Sequence, residues 1–239
     1  MNIRRTHVQR LVDVVSIMIV ASVVAVGIGI AAIRVLHKES TAANGSVGGR
    51  TDLARDSLST AELSEQVTTG HWVGSETASV LVLVFGDYAC GYSVQLYHTL
   101  QALLRRYPQH VAIIFKHFVP PSVLTEYRIP EGAECAAVQG RFEEYMRVAY
   151  THGEAVRYSN GWRMFADSAR IPDMPEFVKC VRSRRFVTSL SNQYEDGTRN
   201  GVALTPTLFV NGERIVGSIP FVQLDSVVAM KLRGRNIER

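Results

Sequence analysis

The sequence predicts an α/β protein with a mixed central sheet flanked by helices. Three observations lead to this prediction. Two short apolar runs, VLVLVF at residues 80–85 and VAIIFKHF at residues 111–118, have the length and the valine and isoleucine content of strands buried on both faces. Between them, residues 89–107 carry leucines at helical spacing. Near the end of the chain, Asn211-Gly212 separates two further apolar runs, which is the strongest short signal of a β-hairpin.

The order of the elements defines one domain with a helical insertion. The first strand, the helix and the second strand have short connections, which favours a right-handed crossover and a parallel pair of strands. The pattern then becomes helical from about residue 120 to about residue 200, and strands and one helix follow. We expect helices at residues 131–152, 161–170, 175–182 and 184–200, strands at 207–210 and 214–216, and a last helix at 221–232.

The N-terminal part of the chain predicts a membrane anchor. Residues 14–33 contain no charged side chain, and a helix of that length spans about 30 Å, the thickness of the hydrocarbon core of a bilayer. We assign the transmembrane helix to residues 14–35. A secretory signal peptide is the alternative, with Ser40-Thr41-Ala42 as its small-residue cleavage site, but the apolar region of such a peptide is usually shorter.

The charges predict the orientation of this anchor. Three arginines precede the apolar run and two basic residues follow it, which favours a cytoplasmic segment at residues 1–13. Residues 36–70, rich in Ser, Thr, Ala and Gly, would form a flexible linker with a short helix possible near residues 58–66. Residues 71–239 would then form an extracytoplasmic, periplasmic domain. Five of the 26 basic residues and two of the 22 acidic residues lie before residue 40, so the rest is nearly neutral and does not favour nucleic acid as a partner.

Cys90 lies where the first long helix begins. The free backbone N–H groups and the positive end of the helix dipole favour an anion at this position, and a thiolate is such an anion and a nucleophile. The alternative is a buried cysteine that acts as a small apolar side chain. With three cysteines in all, a disulfide scaffold and a cysteine-rich zinc site are both excluded.

Three strings in the sequence resemble the DsbA-type thiol-disulfide oxidoreductases of the thioredoxin superfamily. They are DYACGYS at residues 87–93, AECAAVQGRFEEY at 133–145 and GVALTPTLFVNGERIVGSIP at 201–220. The resemblance implies a thioredoxin fold with a helical insertion, in which Cys90 is the attacking thiol and Pro206 is a cis-proline beside it. It further implies that the loop of Thr205 and Pro206 positions a substrate chain. From its place beside Cys90, Tyr92 could line a peptide groove, and packing of the turn is the alternative explanation.

One departure from the family pattern concerns Ser93. The family motif is Cys-x-x-Cys, and here Ser93 occupies the position of the second, resolving cysteine. Because a hydroxyl cannot attack a disulfide, no internal disulfide can form at this site. Cys90 would then act alone in isomerase-like or reductase-like exchange on protein thiols and disulfides, without a cofactor but with an external thiol as partner. Ser93 could donate a hydrogen bond to the Cys90 sulfur. The alternative function is a redox-inactive binding or chaperone module that keeps the peptide groove.

Two further interpretations depend on the remaining cysteines and on Ser93 itself. Some members of the family carry a second, structural disulfide in the insertion, which favours a bridge between Cys135 and Cys180 over two separate buried thiols. The string GYSVQ at residues 91–95 matches four of the five positions of a nucleophile elbow, which would make Ser93 the nucleophile of a hydrolase.

The histidines give no sequence signal for a metal site. The seven histidines show no pair at a metal-ligand spacing, so the sequence predicts none. His117 ends the second strand, where we expect a solvated or hydrogen-bonded side chain.

Overall fold

A five-stranded mixed sheet is the centre of the domain. The structure is a computed structural model that describes residues 57–152 and 161–237. Its strands are β1 (His71–Gly74), β2 (Val80–Gly86), β3 (Val111–His117), β4 (Thr207–Val210) and β5 (Glu213–Val216). Its helices are α1 (Thr60–Thr69), α2 (Gly91–Arg106), α3 (Ile129–Val138), α4 (Phe142–Thr151), α5 (Gly161–Ser168), α6 (Met174–Arg182), α7 (Val187–Arg199) and α8 (Phe221–Ile237), with a short 3₁₀ turn at Pro121–Val123.

The sheet has the order β1-β3-β2-β4-β5, and the predicted strands pair as expected. Strands β2 and β3 are parallel neighbours, joined by the crossover helix α2, while β4 pairs antiparallel with β2 and with β5. The β4–β5 connection has positive φ angles at Asn211 (46°) and Gly212 (92°), the conformation that favours an Asn-Gly pair in a two-residue hairpin. A mixed sheet of an α/β domain is therefore confirmed.

Strand β1 and helix α1 add two elements before the first predicted strand. Strand β1 pairs antiparallel with β3, with His71 opposite Phe115. Helix α1 begins with a capping box formed by Ser59 and Glu62. Although residues 36–70 read as a flexible linker with a possible short helix, the part from residue 57 onward lies against the domain: Leu58 is buried, and its amide donates to the carbonyl oxygen of Gly212 at 2.8 Å.

Side chains alternate between the two faces of the sheet, and each face has its own core. On one face Val82, Val84, Ile113 and Phe115 pack with α2 and the helical insertion. On the other, Leu83, Phe85, Ile114 and Phe209 form a second cluster. This period of two explains why β2 and β3 read as continuous apolar runs, because a strand covered on both faces needs apolar residues at every position.

In the part of the chain that the structure describes, helices α3 to α7 lie between β3 and β4. The single helix predicted at residues 131–152 is wrong: α3 ends at Val138 and α4 begins at Phe142, with Gly140 at a φ of 68° between them. A left-handed residue of this kind ends a helix, and glycine adopts it at little cost. The structure places Cys135 of α3 and Cys180 of α6 in a disulfide, with their Cα atoms 6.0 Å apart.

The predicted cytoplasmic segment and membrane anchor, residues 1–35, and most of the predicted linker lie outside the described residues. Among the helices that the structure does describe, none combines the length and the apolar character needed to cross a bilayer.

Candidate active site

Cys90 occupies the junction between the central strand β2 and helix α2. Its backbone is extended (φ −87°, ψ 117°), and it is the N-cap residue of the helix. The amide of Cys90 donates to the Asp87 carbonyl oxygen at 3.2 Å, and its own carbonyl oxygen accepts from Val94 at 3.1 Å. The side chain is half-buried. Cys90 therefore lies at the helix N-terminus, where the first backbone N–H groups are free, although its side chain makes no capping hydrogen bond to them.

The loop before β4 approaches Cys90 from the other side. The peptide bond between Thr205 and Pro206 is cis. The Cys90 thiol donates a hydrogen bond to the Thr205 carbonyl oxygen, with 3.2 Å between sulfur and oxygen. Although 115 positions separate the two residues in sequence, the central location of β2 and β4 in the sheet brings their ends together. Cys90, Thr205 and Pro206 thus form one site.

Ser93 lies in this site but does not bind the Cys90 sulfur. Its side chain is buried, with 3% of its surface exposed, and its hydroxyl accepts a hydrogen bond from the Asp87 amide at 3.4 Å. The expected hydrogen bond from Ser93 to Cys90 is not formed among the described residues, because Ser93 is in the first helical turn and its hydroxyl reaches back to the preceding loop. A buried serine within a helix also does not fit the exposed nucleophile of a nucleophile elbow.

Two large side chains project into solvent next to the residues that carry the sulfur and its acceptor. Tyr92, two positions after Cys90, and Leu204, immediately before Thr205, are each 65% exposed. Tyr88, the other tyrosine near Cys90, is completely buried and contributes to the core instead. Exposed aromatic and apolar side chains beside a backbone carbonyl group form a surface that can contact an extended peptide.

A half-buried carboxyl group supports the turn that carries Cys90. Asp87 Oδ1 accepts a hydrogen bond from the Ala89 amide at 3.0 Å and from the Tyr127 hydroxyl at 2.9 Å. Burial raises the pKa of Asp87, and these two hydrogen bonds act in the opposite direction. Burial also raises the pKa of Tyr127 well above its usual value, so this tyrosine remains a proton donor. Sequence reasoning missed Tyr127, because it lies 40 positions away from Asp87 with no local signal.

A fully buried tyrosine lies close to the same groups. Burial raises the pKa of Tyr150 well above its usual value, and nearby Asp87 and Cys90 raise it further. Tyr150 stacks against Tyr97 of α2, with 4.8 Å between the ring centroids. The base of the candidate site is therefore aromatic and contains tyrosines that stay neutral.

Comparisons with known proteins give the family of this chain. The thioredoxin family model matches residues 66–229. Among curated proteins, the Na(+)/H(+) antiporter NhaA 1 of Mycolicibacterium gilvum is 26% identical over 147 residues, which cover 60% of this chain and 24% of the relative. The chain thus spans about a quarter of the length of the curated relative.

Solved structures show the same fold. A periplasmic thioredoxin-like protein from Salmonella enterica serovar Typhimurium has a TM-score of 0.54 and 19% identity, covering 74% of this chain and 98% of that one. The thiol-disulfide exchange protein α-DsbA2 from Wolbachia pipientis has a TM-score of 0.56 and 19% identity, covering 72% and 94%. The match to the family model, together with this thioredoxin-like α/β fold, shows that the chain belongs to the thioredoxin family.

Proposed function

We propose that this protein is a membrane-anchored, extracytoplasmic thiol-disulfide exchange protein that acts on protein substrates through Cys90 as its single nucleophile. One observation carries the proposal: a half-buried thiol at the N-terminus of a helix lies 3.2 Å from the carbonyl oxygen that precedes Pro206. The helix N-terminus has free backbone N–H groups at this residue, and the partial exposure of Cys90 lets a substrate disulfide reach the sulfur.

The exchange reaction needs two steps and no cofactor. In the first, the Cys90 thiolate attacks one sulfur of a substrate disulfide, a bond forms between Cys90 and that sulfur, and the other substrate sulfur leaves as a thiolate. In the second, an external thiolate attacks the mixed disulfide and Cys90 leaves as a thiolate. If the external thiol belongs to the same substrate, the result is isomerisation. If it belongs to glutathione or a partner protein, it becomes bonded to the substrate sulfur in a new mixed disulfide. A second external thiolate then attacks that disulfide, the substrate sulfur leaves as a thiolate, and the two external thiols end as a disulfide.

The surface around Cys90 would hold the substrate chain. Thr205 precedes Pro206 at the entrance to β4, and an extended peptide could pair with its backbone as an added strand does. Tyr92 and Leu204 would contact substrate side chains, because both are large and mostly exposed. Ser93 would act as a positioning residue, since its hydroxyl holds the Asp87 amide rather than the sulfur.

The test uses the full-length chain and a peptide disulfide whose leaving thiol is chromophoric. We expect one equivalent of leaving thiol and a covalent adduct at Cys90, with turnover only after glutathione is added. Cys90→Ser is the control and should release none. If wild type forms no adduct, or the adduct does not require Cys90, the exchange function is wrong.

A matched pair of substitutions at Ser93 asks whether the rest of the site supports exchange. Ser93→Cys restores two cysteines at the spacing of the family motif. After oxidised glutathione has converted the two thiols to the internal disulfide and has been removed, we expect the variant to oxidise a reduced peptide and to become a dithiol itself. Ser93→Ala, which removes the hydroxyl but adds no thiol, should not gain this activity. Failure of Ser93→Cys to form the internal disulfide would contradict our assignment of this helix end as an exchange site.

The second candidate function is a redox-inactive peptide-binding or chaperone module. The serine at position 93 and the exposed Tyr92 and Leu204 favour it. Under this hypothesis Cys90→Ser binds unfolded peptides as tightly as wild type, Tyr92→Ala weakens the binding, and no mixed disulfide accumulates.

A further inference from the structure

A second cluster of reactive side chains lies apart from the hydrogen-bonded groups around Cys90. It consists of His71 at the start of β1, His117 at the end of β3 and Glu134 of α3. Each offers one possible ligand atom, and the three atoms lie within 4.8 Å of one another. His71 Nε2 is 3.0 Å from Glu134 Oε2, and His117 Nε2 is 3.5 Å from Glu134 Oε1. The pairing of β1 with β3 and the packing of α3 thus bring together three residues that are distant in sequence.

The side chain of His117 is buried without the hydrogen bonds that its ring nitrogens could make. Its side chain is completely buried, and neither Nδ1 nor Nε2 has a hydrogen-bond partner among the described residues. The sequence predicted a solvated or hydrogen-bonded histidine here, and that prediction is wrong. A buried polar atom without a partner costs about 1–3 kcal/mol, so such atoms are rare and often mark a ligand.

The side chains of the cluster are suitable metal ligands. Imidazole nitrogens and carboxylate oxygens both bind divalent transition metals. The two ring nitrogens of His117 have no hydrogen-bond partner among the described residues, and a carboxylate oxygen of Glu134 lies 3.5 Å from His117 Nε2.

Neighbouring side chains hold the three residues in place. Gln193 of α7 donates from its Nε2 to Glu134 Oε1 at 2.8 Å, and its Oε1 accepts from the His117 amide at 2.7 Å. The His71 ring stacks on Phe142, with 3.7 Å between centroids. Outer contacts of this kind orient the ligands in protein metal sites.

We propose that His71, His117 and Glu134 bind one divalent transition-metal ion, with Zn²⁺ as the expected occupant. Imidazole nitrogen and carboxylate oxygen are zinc ligands at about 2.0–2.2 Å, which puts neighbouring ligands of a tetrahedral ion roughly 3.3 Å apart. The separations of 3.0 Å from His71 Nε2 to Glu134 Oε2 and of 3.5 Å from His117 Nε2 to Glu134 Oε1 are close to this value, each with one of the two carboxylate oxygens. Water would take the fourth position, and the ion would enter beside His71, the one member of the three that is partly exposed.

The ion would join the helical insertion to the sheet. His71 and His117 belong to adjacent strands, while Glu134 precedes Cys135, which forms the disulfide with α6. The site is independent of the proposed thiol chemistry. A bound ion would fix α3 against β1 and β3, so metal binding should stabilise the folded chain by mass action.

The experiment titrates Zn²⁺ into the full-length, tag-free chain after treatment with a chelator, and it measures binding by calorimetry. We expect one ion per chain. His71→Ala, which changes the partly exposed ligand, and His117→Gln should each weaken binding by more than about 100-fold, because loss of an outer-shell partner alone costs 10–100-fold. As matched controls, His98→Gln and His110→Gln change exposed histidines and should leave the affinity unchanged.

Two further measurements test whether Cys90 contributes to the zinc site and whether zinc stabilises the folded chain. Cys90→Ser should bind Zn²⁺ as wild type does, and Co²⁺ should give visible bands without the sulfur charge-transfer absorption of a thiolate ligand. Zn²⁺ should also raise the melting temperature of wild type and Cys90→Ser but not of His71→Ala. The proposal is overturned if Zn²⁺ does not saturate one site, if both ligand variants bind as wild type does, or if binding is lost in Cys90→Ser.

Discussion

Asp87 and Cys90 lie at the two ends of one turn. The first has a carboxyl group and the second a thiol group near the N-terminus of α2. The Asp87 carboxylate accepts from Ala89 and Tyr127, whereas Cys90 contacts Thr205. Both residues are partly buried. Burial of the carboxylate opposes its ionisation, because the charged form loses water. At the scale of single residues, the charge at Asp87 therefore destabilises the folded chain at neutral pH.

The substitution Asp87→Asn tests this cost. Folding raises the pKa of Asp87 above its ordinary value, so proton binding favours the folded state. The stability from this group is complete below the unfolded pKa and is lost as the pH rises through the folded pKa. Asparagine keeps a carbonyl oxygen for Ala89 and Tyr127 but does not titrate. We expect the unfolding free energy of the variant, relative to wild type, to increase between pH 3 and pH 7.

Urea unfolding at several pH values measures this difference. Asp173→Asn is the matched control, because Asp173 caps α6 at an exposed position through the Glu176 amide. A difference between Asp87→Asn and wild type that is constant with pH, or that changes in the opposite direction, would show that burial of Asp87 does not control its ionisation.

At the scale of the elements, a covalent bond fixes two helices of the insertion. Cys135 of α3 and Cys180 of α6 are 45 positions apart and form a disulfide. Helix α3 also carries Glu131, whose carboxylate pairs with Arg184 beyond the end of α6. The ring of Tyr145 in α4 packs against that of Phe177 in α6, with 6.0 Å between the ring centroids. The bridge thus closes a loop whose ends are already held together by polar and aromatic contacts.

Removal of the disulfide should destabilise the chain by about 4 kcal/mol, the value that loop-closure entropy gives for a loop of this length. The test compares urea unfolding of Cys90→Ser with that of the triple variant in which Cys135→Ser and Cys180→Ser are added. Because Cys90 is absent from both chains, exchange with the free thiol cannot contribute. Reduction of Cys90→Ser should reproduce the effect, and an effect below about 1 kcal/mol would mean that the contacts of the insertion, and not the bridge, fix its helices.

Sequence reasoning found the elements whose signals are local. Strands β2 and β3 were predicted from continuous apolar runs, and the β4–β5 hairpin from the Asn211-Gly212 pair, whose residues adopt positive φ angles in the structure. Strand β1 was missed: four residues of mixed polarity show no period, and its position depends on pairing with β3. A short helix near residues 58–66 was expected only within a flexible linker. The structure has helix α1 there and holds it against the domain, partly through the distant contact from Lys116 Nζ to Gln66 Oε1 at 2.7 Å.

For the candidate sites, too, residues with a local sequence signal were predicted and residues that depend on long-range contacts were not. Cys90 was predicted from its place between a buried strand and a helix, which is local information. Its contact with Thr205 was reached through the family resemblance and not from spacing. The cluster of His71, His117 and Glu134 was missed, since His71 and Glu134 are 63 positions apart and no motif connects them. Only the assembled sheet brings such residues together.

At the scale of the whole molecule, the buried Tyr88 lies between the two candidate sites. It precedes Cys90 by two positions, and its ring centroid is 5.5 Å from that of His117. Its hydroxyl is buried and has no hydrogen-bond partner among the described residues. One aromatic core, which also includes Phe115 and Tyr150, thus supports both the turn that carries the thiol and the strand end that carries His117.

The proposed location of the whole chain predicts which reagents reach Cys90. Residues 14–35 would hold the chain in the membrane with the folded domain outside the cytoplasm, where Cys90 is the cysteine outside the disulfide. We expect a maleimide that cannot cross membranes to label the full-length chain in intact spheroplasts as completely as after lysis, and the chain to stay in the membrane pellet after a carbonate wash. Cys90→Ser should remain unlabelled, and a cytoplasmic thiol protein reports leakage. Labelling only after lysis would place the domain in the cytoplasm and contradict the proposed function. If the chain is fully labelled but released by the wash, the N-terminal segment is a cleaved signal peptide and not an anchor.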